Sequence, residues 1–152
     1  MQNMTENSKT ENETIQKFKI SILEDNMFYN RLLKKQLDDY FENLGVLTNC
    51  IFSIKSFTNT ADFVKNFSAK TDVALLDFYL EEGETALKVM EDIKEKSPDC
   101  KVIIISGIKN IHSYYKTFWL GAVDFIAKDR TAPIRCCRLI EAIFAEKLGV
   151  KS

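Results

Sequence analysis

Five times between Phe18 and Leu148 a short apolar run rich in β-branched residues gives way to a longer amphipathic stretch, and this alternation constrains the fold most. The runs are Phe18 to Leu23, Ile51 to Phe57, Asp72 to Leu76, Val102 to Ile105 and Val123 to Ala127. The first is followed by a predicted helix from Met27 to Asn43, with Phe28, Leu32, Leu33, Leu37, Tyr40 and Phe41 at helical spacing and Gly45 as its stop. Thr58 or Asn59 is placed to cap a second helix presenting Phe63, Val64 and Phe67. A third carries Ala86, Leu87, Met90 and Ile93 and is closed by Pro98; a fourth runs from Asn110 to Trp119 and a fifth from Ala132 to Leu148. The third and fourth apolar runs have no polar face, as strands of a parallel sheet covered on both sides by helices require. The expected fold is α/β, a doubly wound five-stranded parallel sheet with helices on both faces.

At 152 residues, 45% of them apolar, the chain fits one domain with an ordinary core. Residues 1–17 are mostly Asn, Glu, Thr, Lys and Gln, too polar to offset the entropy of ordering, and are expected to form a mobile tail before a domain spanning 18–149. The formal net charge of −1, from 21 basic and 22 acidic side chains, gives no general attraction to nucleic acid or anionic membranes. No run reaches the roughly 18 consecutive apolar residues of a membrane span, and no signal-peptide layout opens the chain, so a cytoplasmic location is expected. Cys50, Cys100, Cys136 and Cys137 lack C-x-x-C spacing and His112 is the sole histidine, which leaves zinc without a recognisable ligand set. The thiols are expected buried and reduced, except that Cys136 and Cys137, being adjacent, cannot both face one helix–sheet interface. His112 is expected on an exposed helical face without catalytic duty.

In open α/β sheets the functional site lies beyond the carboxyl ends of the strands. Glu24 and Asp25 follow the first run, Asp77 the third, Ser106 and Gly107 the fourth and Lys128 the fifth. Two carboxylates about 4 Å apart repel by about 4 kcal/mol at an effective dielectric of about 20, so three together call for a cation. An all-oxygen set suits Mg²⁺. Lys128 would offset the remaining charge and pair with phosphoryl oxygens, Ser106 would donate a hydrogen bond to one of them, and Asp77 would be the nucleophile that forms an acyl phosphate.

These residues stand in Ile-Leu-Glu24-Asp25-Asn, in Ala-Leu-Leu-Asp77-Phe-Tyr-Leu, in Val-Ile-Ile-Ile-Ser106-Gly107 and in Gly121-Ala-Val-Asp-Phe125-Ile-Ala-Lys128. In that order, each ending a predicted strand, they resemble the CheY-like receiver domains of two-component response regulators over about Phe18 to Leu148. The resemblance implies strand order 2-1-3-4-5. It implies Mg²⁺ held by Glu24, Asp25, Asp77 and the backbone carbonyl of Tyr79. It implies a phosphoryl group taken by Asp77 from a histidine kinase or a histidine phosphotransfer protein and bound by Lys128 and Ser106. Ser106 and the aromatic Phe125 would be the switch residues, altering the face formed by the fourth helix, fifth strand and fifth helix toward an output protein or domain, or toward a second copy in a homodimer. The region from Trp119 to Phe125 is, on that analogy, the surface to probe for a partner. Such a chain is a regulatory phospho-acceptor that assists its own phosphoryl transfer, and not an enzyme with turnover.

The sequence departs from the family pattern at two places. Asp129 replaces the usual proline after the lysine, which leaves open whether the Lys128–Asp129 bond is cis; a trans bond would hold the lysine less firmly. The loop after Asp77 reads Leu80-Glu81-Glu82-Gly83-Glu84-Thr85, and its three carboxylates would slow an anionic donor. The competing reading is a degenerate receiver, a constitutive protein-interaction module that is never phosphorylated. A flavin-binding protein of similar fold would need a Ser/Thr/Gly-rich phosphate loop where Glu24-Asp25-Asn26 stands. No DNA-binding segment follows Leu148, so direct contact with nucleic acid is not expected.

Overall fold

The computed structural model describes residues 14–107 and 110–149. Its elements in chain order are β1 (Gln16–Leu23), α1 (Met27–Thr48), β2 (Cys50–Phe57), α2 (Thr60–Asn66), β3 (Val73–Asp77), α3 (Ala86–Lys96), β4 (Lys101–Ser106), α4 (Ile111–Trp119), β5 (Ala122–Ala127) and α5 (Ala132–Lys147). A single 3-10 turn, Glu81–Gly83, lies between β3 and α3. All strand pairs are parallel and the sheet order is β2-β1-β3-β4-β5, as the family resemblance implied. Every residue of β3 is buried, and so is every residue of β4 except Lys101, the environment their unbroken apolar sequence requires.

The helices divide the core in two. On one face Phe18, Ile20, Ile22, Leu75, Ile103 and Ile105 meet Leu33, Leu37 and Phe41 of α1 and Ile140 and Phe144 of α5. On the other, Ala74, Leu76 and Ile104 meet Phe63 of α2 and Val89, Met90 and Ile93 of α3. Alternate residues of one strand thus serve opposite faces.

Several boundaries and orientations differ from expectation. Gln16 and Lys17 pair with Cys50 and Ile51, so β1 begins inside the segment assigned to the tail, whose residues 1–13 lie outside the described residues. α1 does not stop at Gly45. It continues to Thr48 and ends on Asn49, whose φ of 51° and ψ of 42° are left-handed. Gly45 serves packing instead: a Cβ there would stand 2.7 Å from the carbonyl oxygen of Cys50, so only glycine lets the helix approach the start of β2 this closely. The buried stripe of α1 is Asn30, Leu33, Leu37 and Phe41, while Phe28 is 78% exposed and Leu32 faces outward. Asn59, rather than Thr58, caps α2 by accepting from the Asp62 N–H at 2.8 Å.

Cys136 and Cys137 are both fully buried, against the expectation that one would face outward. α5 is enclosed on two sides: it packs over the sheet and also along α1, where Cys137 Sγ lies 3.9 Å from the Gln36 carbonyl oxygen. Two adjacent residues therefore each find an interior. Burial pushes both thiols up to about 12, which keeps them protonated and inert. Cys50 and Cys100 are also free thiols, and His112 is exposed on α4 as expected. Among the described residues no helix is long and apolar enough to cross a membrane.

Candidate functional site

Parallel pairing brings the carboxyl ends of β1, β3, β4 and β5 to one edge. Backbone hydrogen bonds extend the sheet just past the strands: Glu24 N–H donates to Phe57 O at 3.1 Å, Phe78 N–H to Ile105 O at 3.0 Å and Lys128 N–H to Ser106 O at 2.8 Å. Glu24, Asp77 and Lys128 are thereby fixed by the sheet itself. Asn26 caps α1 by accepting from the Tyr29 N–H at 2.9 Å, which sets the turn carrying Asp25.

Glu24, Asp25 and Asp77 each offer a carboxylate oxygen within 4.8 Å of the others. Glu24 is fully buried and Asp77 nearly so, with Asp25 half-buried at the mouth. Burial first, and then the charge of Glu24, raise Asp77 to about 7, against the opposing pull of Lys128. Lys128 Nζ stands 2.8 Å from Glu24 Oε2 and 3.3 Å from Asp77 Oδ1. Glu24 Oε1 accepts from the Asn26 N–H at 3.2 Å, whereas buried Oε2 meets its lysine without the geometry of a hydrogen bond. One ammonium, paired with Glu24 and Asp77, against three carboxylates leaves the cluster net negative. An all-oxygen, partly desolvated acidic set of this kind fits a hard divalent cation, and these three residues could hold one.

The remaining expected residues lie around this cluster. Ser106 ends β4, fully buried, paired in register with Ala127 beside Lys128. Tyr79 follows Asp77 by two residues and bridges to Thr85, with its hydroxyl 3.3 Å from Ser113 Oγ of α4. Phe125 is half-buried, its ring 6.3 Å from that of Phe78 and 5.6 Å from that of Tyr114. It therefore links β5 to α4. The Lys128–Asp129 peptide is trans, and Asp129 accepts from the backbone N–H and hydroxyl of Thr131 at 2.9 and 2.8 Å, fixing the turn into α5. Those two bonds hold the Asp129 carboxyl below the usual range.

Two residues of the site were not anticipated. Asn30, buried, donates through Nδ2 to Glu24 O and to Phe57 O, both at 3.0 Å, and so ties the ends of β1 and β2 to α1. A polar residue on an otherwise apolar helical stripe was its signal. Tyr29 lies under the lysine, with Lys128 Nζ 4.8 Å from its ring centroid. Its aromatic character did not distinguish it from the core residues around it.

The chain matches the response regulator receiver domain over residues 20–141. It is 36% identical over 59 residues to the photosynthetic apparatus regulatory protein RegA of Rhodovulum sulfidophilum, a match covering 39% of this chain and 32% of RegA. It is 30% identical over 132 residues to the transcriptional regulatory protein CssR of Bacillus subtilis, covering 85% of this chain and 54% of CssR. It thus spans about a third to about half of the length of these relatives. The BeF3-activated DrrB receiver domain superposes with a TM-score of 0.68 at 22% identity, covering 85% of this chain and 98% of that one, which agrees with the fold. Because the match runs unbroken through the strands that deliver Glu24, Asp77, Ser106 and Lys128 to one edge, this chain belongs to the receiver domain family of two-component response regulators.

Proposed function

We propose that Asp77 is a phospho-acceptor, taking a phosphoryl group from a phosphohistidine of a kinase or phosphotransfer protein. The observation that carries this reading is a nearly buried carboxylate at a strand end with two more carboxylates within 4.8 Å and a lysine at 3.3 Å. In the transfer an Asp77 oxygen attacks phosphorus, the phosphorus–nitrogen bond breaks, and the imidazole leaves with its electron pair and takes a proton. Glu24, Asp25 and Asp77, with the Tyr79 carbonyl, would hold Mg²⁺, which would supply positive charge to the phosphoryl oxygens. Lys128 would turn from Asp77 toward a phosphoryl oxygen, and the Ser106 hydroxyl would donate to another. The chain thus assists one transfer to itself and does not turn over.

The acyl phosphate would bias Ser106 and Phe125, and Phe125 already touches α4 through Tyr114. The outer face of α4 and β5 carries Tyr115, Trp119 and Val123, with Trp119 86% exposed, a surface suited to an output protein or domain or to a second copy. On this reading the chain would meet its phosphohistidine donor in the cytoplasm. Intact mass after incubation with acetyl phosphate tests the reading: a phosphoryl gain that requires Mg²⁺ and is lost in Asp77→Asn is expected, and no gain beside a reactive control receiver would refute it.

A further inference from the structure

We infer that Tyr29 is a positioning residue for Lys128, its ring forming a platform on which the ammonium moves between the resting carboxylates and an incoming phosphoryl group. The inference rests on the acceptor role proposed for Asp77. Lys128 Nζ stands 2.8 Å from Glu24 Oε2, 3.3 Å from Asp77 Oδ1 and 4.8 Å from the Tyr29 ring centroid. The two carboxylates alone would hold the ammonium in a buried ion pair, with Glu24 the nearer partner. To serve the transfer it must leave Asp77 Oδ1 without leaving the site. An aromatic face attracts a cation over its whole area and imposes no single bond direction, so it retains the charge while allowing such a shift.

The ring is fixed independently of the lysine. Its residue is the third of α1, its N–H is bound by the Asn26 cap at 2.9 Å, and its side chain packs against the core below α1 and α5. Its hydroxyl is buried and makes no hydrogen bond among the described residues, so the face of the ring, rather than the hydroxyl, engages the site. The lysine side chain has four rotatable bonds, and the turn after it is held at Asp129 and Thr131, beyond the lysine itself. A rigid aromatic beneath the ammonium therefore limits, together with the two carboxylates, where Nζ can go.

Two measurements on the full chain test this. In the unaltered protein, the ε-methylene protons of Lys128 should resonate upfield of other lysines through the ring current of Tyr29, and Tyr29→Leu should abolish that shift. With acetyl phosphate and Mg²⁺, Tyr29→Leu should lower the maximal rate of phosphoryl uptake about three- to tenfold without changing the half-saturating donor concentration, and Tyr29→Phe should restore it. Tyr29→Met keeps a long apolar side chain without a ring face and should behave as Tyr29→Leu, which covers the case in which leucine unsettles the fold. An unshifted Lys128, or Leu and Met variants that react at the unaltered rate, would overturn the inference. So would a Phe variant as slow as Leu, because that would assign the effect to the hydroxyl. If the unaltered protein takes up no phosphoryl group, the acceptor reading fails with it, an outcome distinct from variants that match a reactive parent.

Discussion

Lys128 Nζ lies closer to Glu24 Oε2, at 2.8 Å, than to Asp77 Oδ1, at 3.3 Å. The lysine is thus first of all the counterion of a carboxylate that has no solvent access. Removing one partner of a buried pair leaves the other desolvated and uncompensated, which costs about 3–5 kcal/mol. Lys128→Met is expected to lose stability on this scale in urea titrations without divalent cation, and to recover part of it when Mg²⁺ is added. Lys34→Met should change stability by no more than about 0.5 kcal/mol, because its i,i+4 pair with Asp38 is exposed to water. Equal losses in the two variants would contradict the special standing of Lys128.

The Asp77 carboxyl sits at about 7, above an ordinary aspartate value of about 3.9. Between those values the folded protein holds a proton that the unfolded chain has released, so stability falls as pH rises through roughly 4 to 7. Below that window both states are protonated and Asp77 contributes nothing; above it the cost of burying its charge beside Glu24 is fully present. In cation-free buffer, melting curves of the parent and of Asp77→Asn should converge near pH 4 and separate by pH 8, with the asparagine variant the more stable. Parallel curves across the whole range would show that the carboxyl is not held high.

Asn30 ties together the ends of β1 and β2 by donating to Glu24 O and Phe57 O at 3.0 Å each. Phe57 O keeps its bond from the Glu24 N–H when the amide is removed, so Glu24 O bears most of the loss. An unpaired buried carbonyl costs about 1–3 kcal/mol, and Asn30→Leu is expected to destabilise by that amount although it makes the helix stripe wholly apolar. Amide hydrogen exchange should show the loss spreading to the Glu24 N–H. A stabilised variant would mean that the carbonyls find water instead.

What was legible in the sequence follows from what the topology fixes. Once five apolar runs are read as parallel strands, the residues after each run must share one edge, which brings Glu24, Asp25, Asp77 and Lys128 together on topology alone. Helix phase and distance of approach are not fixed in that way. Of the α1 stripe expected through Phe28, Leu32, Leu33, Leu37, Tyr40 and Phe41, Leu33, Leu37 and Phe41 are buried, but Phe28 and Leu32 face outward and Asn30 turns into the site instead. Gly45 reads as a helix stop because glycine usually is one, and only the 2.7 Å approach to Cys50 O shows why it lies within a helix. On α4 the buried residues Ser113 and Thr117 are polar while Tyr115 and Trp119 face out, the reverse of the pattern from which a helix's inner face is normally read.

The loop between β3 and α3 adds a barrier that depends on the charge of the donor. Glu81, Glu82 and Glu84 are exposed and, with half-buried Asp25, line one depression beside the acidic cluster. Charges so placed act over about 10 Å at 0.1 M salt and less at higher salt. Acetyl phosphate, a small dianion, must cross that field with no protein surface of its own to offset it. Its reaction with the parent should therefore accelerate as salt is raised, the opposite of a reaction between unlike charges. Replacing all three glutamates by glutamine should increase the low-salt rate about three- to tenfold and flatten the salt dependence, with Asp77 still the modified residue by peptide mass mapping. Phosphoramidate, which carries less negative charge, should gain less from the same change. If both donors speed up equally, the glutamates act through the conformation of the loop, where Glu82 has a φ of 60°, and not through their field.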